Sequence, residues 1–79
     1  MLFRSTTRRE AAQIALLELS ARPGGCNTTD LLDHAHSLPR VEGRKAFEYQ
    51  DISAVAELLV DEGTIIETTK GRQRTWTRA

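Results

Sequence analysis

Apolar residues along this chain recur at helical spacing three times and then give way to a short alternating stretch. The first periodic segment, AAQIALLELSAR, consists of strong helix formers. Thr7 and Glu10 precede it at the spacing of a capping box, and Pro23-Gly24-Gly25 stops it. Ala12, Leu16 and Leu19 share one side of this helix, while Ile14 and Leu17 point elsewhere. A helix apolar around most of its girth is expected to have neighbours on several sides, which places it at the centre of the domain. The second segment, NTTDLLDHAHSL, opens with Asn27 or Thr28 as cap and has Asp30 near the positive end of the helix dipole. Leu31, Leu32, Ala35 and Leu38 form its apolar side, and Pro39 ends it.

The stretch PRVEGRK reads as a loop. It leads to a third helix that includes DISAVAELLVDE, with Ile52, Val55, Ala56 and Leu59 at helical spacing and Gly63 as the C-terminal glycine. Its start falls either near Arg44 or near Gln50. A hairpin follows, with one strand around Thr64 to Thr68, a turn near Lys70-Gly71 and a second strand from Gln73 to Thr77. The predicted core is Leu16, Leu19, Leu31, Ile52, Val55, Leu59, Ile65 and Trp76.

A chain of 79 residues is expected to form one domain, here 1–79 with residues 1–6 as an arm ahead of the first helix. A domain near this size buries only about 60% of its unfolded surface, so one small core leaves little room for an enclosed active site. Cys26 stands alone, which suits a reducing cytoplasm. The start, MLFRSTTRRE, lacks the apolar run of a signal peptide, and nothing further on is apolar enough to span a membrane. The expectation is a soluble cytoplasmic protein.

Charge changes the picture. Eleven Lys and Arg balance eleven Asp and Glu, yet the two signs are segregated. Glu57 to Glu67 carries Glu57, Asp61, Glu62 and Glu67 with no base, whereas Lys70, Arg72, Arg74 and Arg78 follow with no acid between them. Arg4, Arg8 and Arg9 form a second basic cluster, and Arg40, Arg44 and Lys45 a third. Clustered charge points to a partner more directly than the sum does. Period two places Arg72, Arg74 and Trp76 on one face of the returning strand, with Trp76 on the core and the arginines beyond it in solvent.

Three helices followed by a hairpin, in the blocks TTDLLDHA, ISAVAELLVDEGTII and GRQRTW, resemble the winged helix-turn-helix superfamily. The Leu59…Glu62-Gly63-Thr64-Ile65 junction is similar to the helix-to-wing step of that superfamily. The resemblance implies a mainly α fold with a small β-hairpin, a three-helix core plus a C-terminal wing. It also implies double-stranded DNA as the partner of a small transcriptional regulator, whether the DNA is read by sequence or bound nonspecifically. On that pattern the third helix would offer Tyr49, Gln50 and Ser53 to the major groove. Thr28 and Thr29 would face a phosphate, and Lys70, Arg72 and Arg74 would be the wing contacts. Arg40, Arg44 and Lys45 would add positive charge upstream, and a homodimer could form through Met1 to Arg4 or the first helix.

Asp51 and Glu57 oppose that assignment, because a carboxylate facing phosphate carries a large electrostatic cost. The alternative is a winged helix used for protein contact, a small inhibitor or assembly factor whose interface is the acidic Glu57–Glu67 surface. Asp30 and His34 lie four apart with Cys26 and His36 nearby, but His34 and His36 point to different sides of a helix, and no metal is expected. The chain has no phosphate-binding glycine loop, nucleophile motif or paired catalytic carboxylates. Neither a cofactor nor an enzymatic activity is expected.

Overall fold

The computed structural model describes residues 7–40 and 43–79. The expected arm over residues 1–6, with Arg4 of the N-terminal basic cluster, lies outside the described residues, as do Val41 and Glu42 of the loop. The elements in chain order are α1 (Arg8–Ser20), β1 (Cys26–Asn27), α2 (Thr28–Ser37), α3 (Tyr49–Asp61), β2 (Ile65–Lys70) and β3 (Gln73–Arg78). The sheet order is β1-β3-β2, antiparallel throughout. Three helices, a C-terminal hairpin and a short strand paired to it form a winged-helix-like arrangement. Among the described residues, no helix is long and apolar enough to cross a membrane.

Local chemistry sets each helix boundary. Thr7 caps α1 by accepting the Glu10 N–H at 3.1 Å. Of the two candidate caps for α2, Asn27 takes the position: its Oδ1 accepts the Asp30 N–H at 2.8 Å, and the Asp30 carboxylate accepts the Asn27 N–H at 3.1 Å. The third helix starts at Tyr49, close to the later of the two expected positions, with Glu48 as its N-cap residue and the Asp51 carboxylate accepting the Glu48 N–H at 2.9 Å. Phe47 and Ile52 flank this cap at the two positions of a hydrophobic staple, and both are buried. At the other end Gly63, at φ 78°, donates to the Val60 carbonyl while Thr64 donates to that of Leu59, the paired bonds of a Schellman motif.

All eight predicted core residues are buried, joined by Cys26, Ala46 and Phe47. Phe47 was not in the predicted core because it precedes a helix whose start was open. Helix α1 packs against α2, α3, β1 and β3, as a central helix should. Ile14 departs from the expectation. It is 53% exposed, at the rim of a shallow apolar cleft formed with Ala11, Ala15, Glu18, His34 and Leu38.

The short strand β1 was not expected, and it explains the glycine at position 25. Cys26 pairs with Trp76 and Asn27 with Thr75, so the chain leaving α1 runs alongside the central strand as its second neighbour. A Cβ at Gly25 would overlap the Trp76 carbonyl oxygen and the Thr77 side chain, and its φ of 73° is one that side chains rarely adopt. Burial beside Asp30 pushes the Cys26 thiol up to about 11, so it packs as a small apolar group rather than a nucleophile. The expected consequence of Gly25→Ala is a loss of at least about 1–3 kcal/mol from backbone strain, before the overlap is counted. Leu59→Ala, at a fully packed α3 position, should cost about 2–5 kcal/mol. Urea denaturation followed by Trp76 fluorescence measures both; parental stability in Gly25→Ala would mean that β1 does not pair with β3 in solution.

Candidate functional site: a basic groove beside the wing

The turn of the wing comprises Gly71 and Arg72, with Gly71 at φ 61°. A two-residue loop with left-handed backbone suits the twist of a hairpin, and it places Arg72 at the tip. The register sets opposite residues on a common face: Glu67 lies across from Trp76, and Thr69 across from Arg74. Trp76 is fully buried on the inner face of β3, which packs against α1 and α2.

An open groove of about 460 Å³ runs between this wing, the start of α2 and the start of α3. Thr28, Thr29, Tyr49, Lys70, Arg72, Gln73 and Arg74 line it. Six of these are residues singled out from sequence, drawn from three elements far apart in the chain. The cap on α2 uses the Asp30 amide, so the Thr28 and Thr29 amides are left without an intrahelical partner. Asp30 itself lines a different cleft with Leu19, Arg22, Asp33 and His34. Among the described residues, no carboxylate lines the groove.

Other expected residues lie elsewhere. Gln50 is exposed at the start of α3 but does not line the groove. Arg40 donates to the Gly43 carbonyl at 3.0 Å, closing its own loop, while Arg44 is exposed and Lys45 half-buried. Arg8 faces Glu48 at 3.7 Å, tying α1 to the cap of α3. Asp51, counted from sequence among the acids opposing phosphate, is only 8% exposed and committed to that same cap. Among the described residues, no group of three His, Cys, Asp or Glu could hold a metal ion.

The four wing cations divide into two kinds. Arg78 donates from Nε to the Leu17 carbonyl at 3.2 Å, which also accepts the Ser20 hydroxyl at 3.3 Å near the end of α1. Arg74 was expected in solvent and is instead tightly engaged. Its Nε and Nη2 donate to Glu67 Oε1 at 3.1 and 2.8 Å, its Nη1 to Ser53 Oγ at 3.3 Å, and its guanidinium lies 5.1 Å from the Trp76 ring centroid. The same Glu67 oxygen accepts the indole N–H of Trp76 at 2.8 Å. Period two had placed Arg74 and Trp76 on one face; what it did not supply was an acid on the neighbouring strand. The Lys70 and Arg72 side chains are exposed and make no hydrogen bond or ion pair to any described residue.

Arg74 also borders a second, acidic notch of about 180 Å³ formed with Glu57, Val60, Asp61 and Glu67. The segregated charge of the sequence therefore becomes two adjoining surfaces with one arginine between them. The hydrogen bonds from Arg74, and secondarily from Trp76, hold the Glu67 carboxyl below its usual 4.5 despite partial burial. A carboxylate with a lowered folded pKa stabilises the protein above its ordinary pKa and loses that contribution as pH falls through the lowered one. Glu67→Gln should therefore be less stable than the parent at pH 7, and the gap should close on acidification below about 4.5. Denaturant midpoints of both proteins from pH 7 to pH 3 test this, and a constant gap would remove the charge from the explanation.

Compared with protein-family models, curated proteins and solved structures, the chain has no significant match, and its winged-helix-like arrangement rests on its own topology.

Proposed function

We propose that this chain belongs to the winged helix-turn-helix superfamily and binds double-stranded DNA as a small transcriptional regulator. The observation that carries the reading is the groove itself. Lys70, Arg72 and Arg74 face the N-terminus of α2 across an open channel with no carboxylate among its described lining residues. Cations and the first turn of a helix on one concave surface suit a phosphodiester backbone. Tyr49 and Gln50 at the exposed start of α3 supply polar side chains beside it that suit base edges. Glu57 and Asp61 lie in the adjoining notch, where they would limit the footprint on DNA to the groove side.

The competing reading is protein contact through the acidic side of α3. The exposed Leu58 and Val60 favour it, since they interleave with Glu57 and Asp61. Salt dependence separates the two. Each phosphate contact displaces roughly 0.9 counterion from duplex DNA, so a Lys70→Ala/Arg72→Ala variant should lower the slope of log affinity against log salt by about 1.8. Both side chains are exposed and make no polar contact with any described residue, so the fold should survive. Anisotropy titrations of random duplex at several salt concentrations read the slope. An unchanged slope in the folded variant, or absence of duplex binding by the parent, would sink the DNA reading.

A further inference from the structure

Arg74 lines the basic groove, yet it is bound to an acid of its own chain. An arginine that contacts phosphate as a mobile cation has no need of such a partner. The Glu67 carboxylate takes two of its N–H groups, the Ser53 hydroxyl takes a third, and the Trp76 ring lies beneath the guanidinium plane. A guanidinium has five N–H donors in a rigid fork, so two remain beyond these contacts, on a group whose plane is held from three directions. Hydrogen bonding to Glu67 first, and the proximity of Tyr49 after it, hold the Arg74 pKa above its ordinary value. The Arg74 side chain is 25% exposed and that of Glu67 29%. The pair is thus half-sunk at the groove wall rather than extended above it. The charge lent to the groove by Arg74 is cancelled at 2.8 Å, which leaves Lys70 and Arg72 as its net cations.

Building on the DNA reading of the groove, we infer that Glu67 is a positioning residue that makes Arg74 a fixed, charge-neutralised hydrogen-bond donor to the nucleic acid instead of a phosphate counter-charge. The consequence is a separation of roles within one groove. Lys70 and Arg72 supply the salt-dependent attraction, while Arg74 supplies a directed contact that depends on geometry. Ser53 and Trp76 serve the same end by fixing the guanidinium plane.

The test uses the wild-type chain, Glu67→Gln and the charge-neutral double variant Glu67→Gln/Arg74→Gln in anisotropy titrations with random duplex DNA across salt concentrations. The side-chain amide introduced by Glu67→Gln keeps an oxygen that can accept from Arg74 and Trp76, but it frees the arginine charge. The slope of log affinity against log salt should then steepen by up to about 0.9. A purely structural Glu67 would free the same charge, so the double variant and the Arg74 Nε–H signal separate the two roles. The double variant should keep the wild-type slope and lose affinity about two- to tenfold at every salt concentration, as expected for a lost hydrogen bond. In the wild-type protein, whose folding is not at issue, the Arg74 Nε–H that Glu67 holds should give an NMR signal that persists when duplex saturates the groove. An unchanged slope in Glu67→Gln, a slope lowered by about 0.9 in the double variant, or loss of the Arg74 Nε–H signal on binding would each overturn the inference while leaving DNA binding intact. Failure of the wild-type chain to bind duplex would instead overturn the groove reading, and this inference with it.

Discussion

Trp76 must be buried as a ring while its indole N–H finds an acceptor, and most of this domain is arranged around meeting both demands. Burying an aromatic side chain removes roughly 150–250 Å² from water, worth about 4–6 kcal/mol by area. At about 0.05–0.15 kcal/mol per residue, that is comparable to the whole net stability of a chain this size. An unpartnered indole N–H would cancel about 1–3 kcal/mol of it. Glu67, directly across the hairpin, is the acceptor, and β1 pairs with the strand along its other edge. The glycine at position 25 follows from that pairing, because only a residue without Cβ passes beside the Trp76 carbonyl.

Once Glu67 is committed to Trp76, the electrostatics of the wing follow. A carboxylate on a half-exposed strand recruits the nearest guanidinium, and the register leaves Arg74 one diagonal step away. The same arginine reaches Ser53, so the wing is tied to α3 by a polar bridge as well as by the apolar core. Arg78 is drawn to the Leu17 carbonyl of α1 in the same manner. A basic cluster of four residues thereby becomes two structural arginines and two cations with no side-chain partner among the described residues. A small domain has few side chains to spare, and those nearest its surface features serve the core and the surface at once.

Much of the molecule could be read from the chain alone, for reasons that are local. Helical spacing placed Leu16, Leu31, Ile52 and Leu59 inward, because a 3.6-residue period turns each onto one face whatever lies opposite. Thr7, Asn27 and Gly63 announced helix ends, because caps are satisfied by groups within a few residues. Period two set Arg74 and Trp76 on a common face. The start of α3 was not legible in the same way: Glu48 is a poor N-cap type, so the staple of Phe47 and Ile52 that defines the boundary gave no recognisable signature.

What the tertiary structure decided is pairing across distance. No local pattern joins Cys26 to Trp76, Arg78 to Leu17 or Ser53 to Arg74, since each contact depends on how strands and helices are docked. The sequence determined that the wing carries four bases and that acids precede them. It could not determine which bases are neutralised, because a charge count is indifferent to distance, whereas Coulomb attraction and hydrogen bonding are decided within a few ångströms. For the same reason Thr28, Tyr49 and Arg72 were visible as separate polar residues, while the groove they share exists only once α2, α3 and the hairpin have packed around one core.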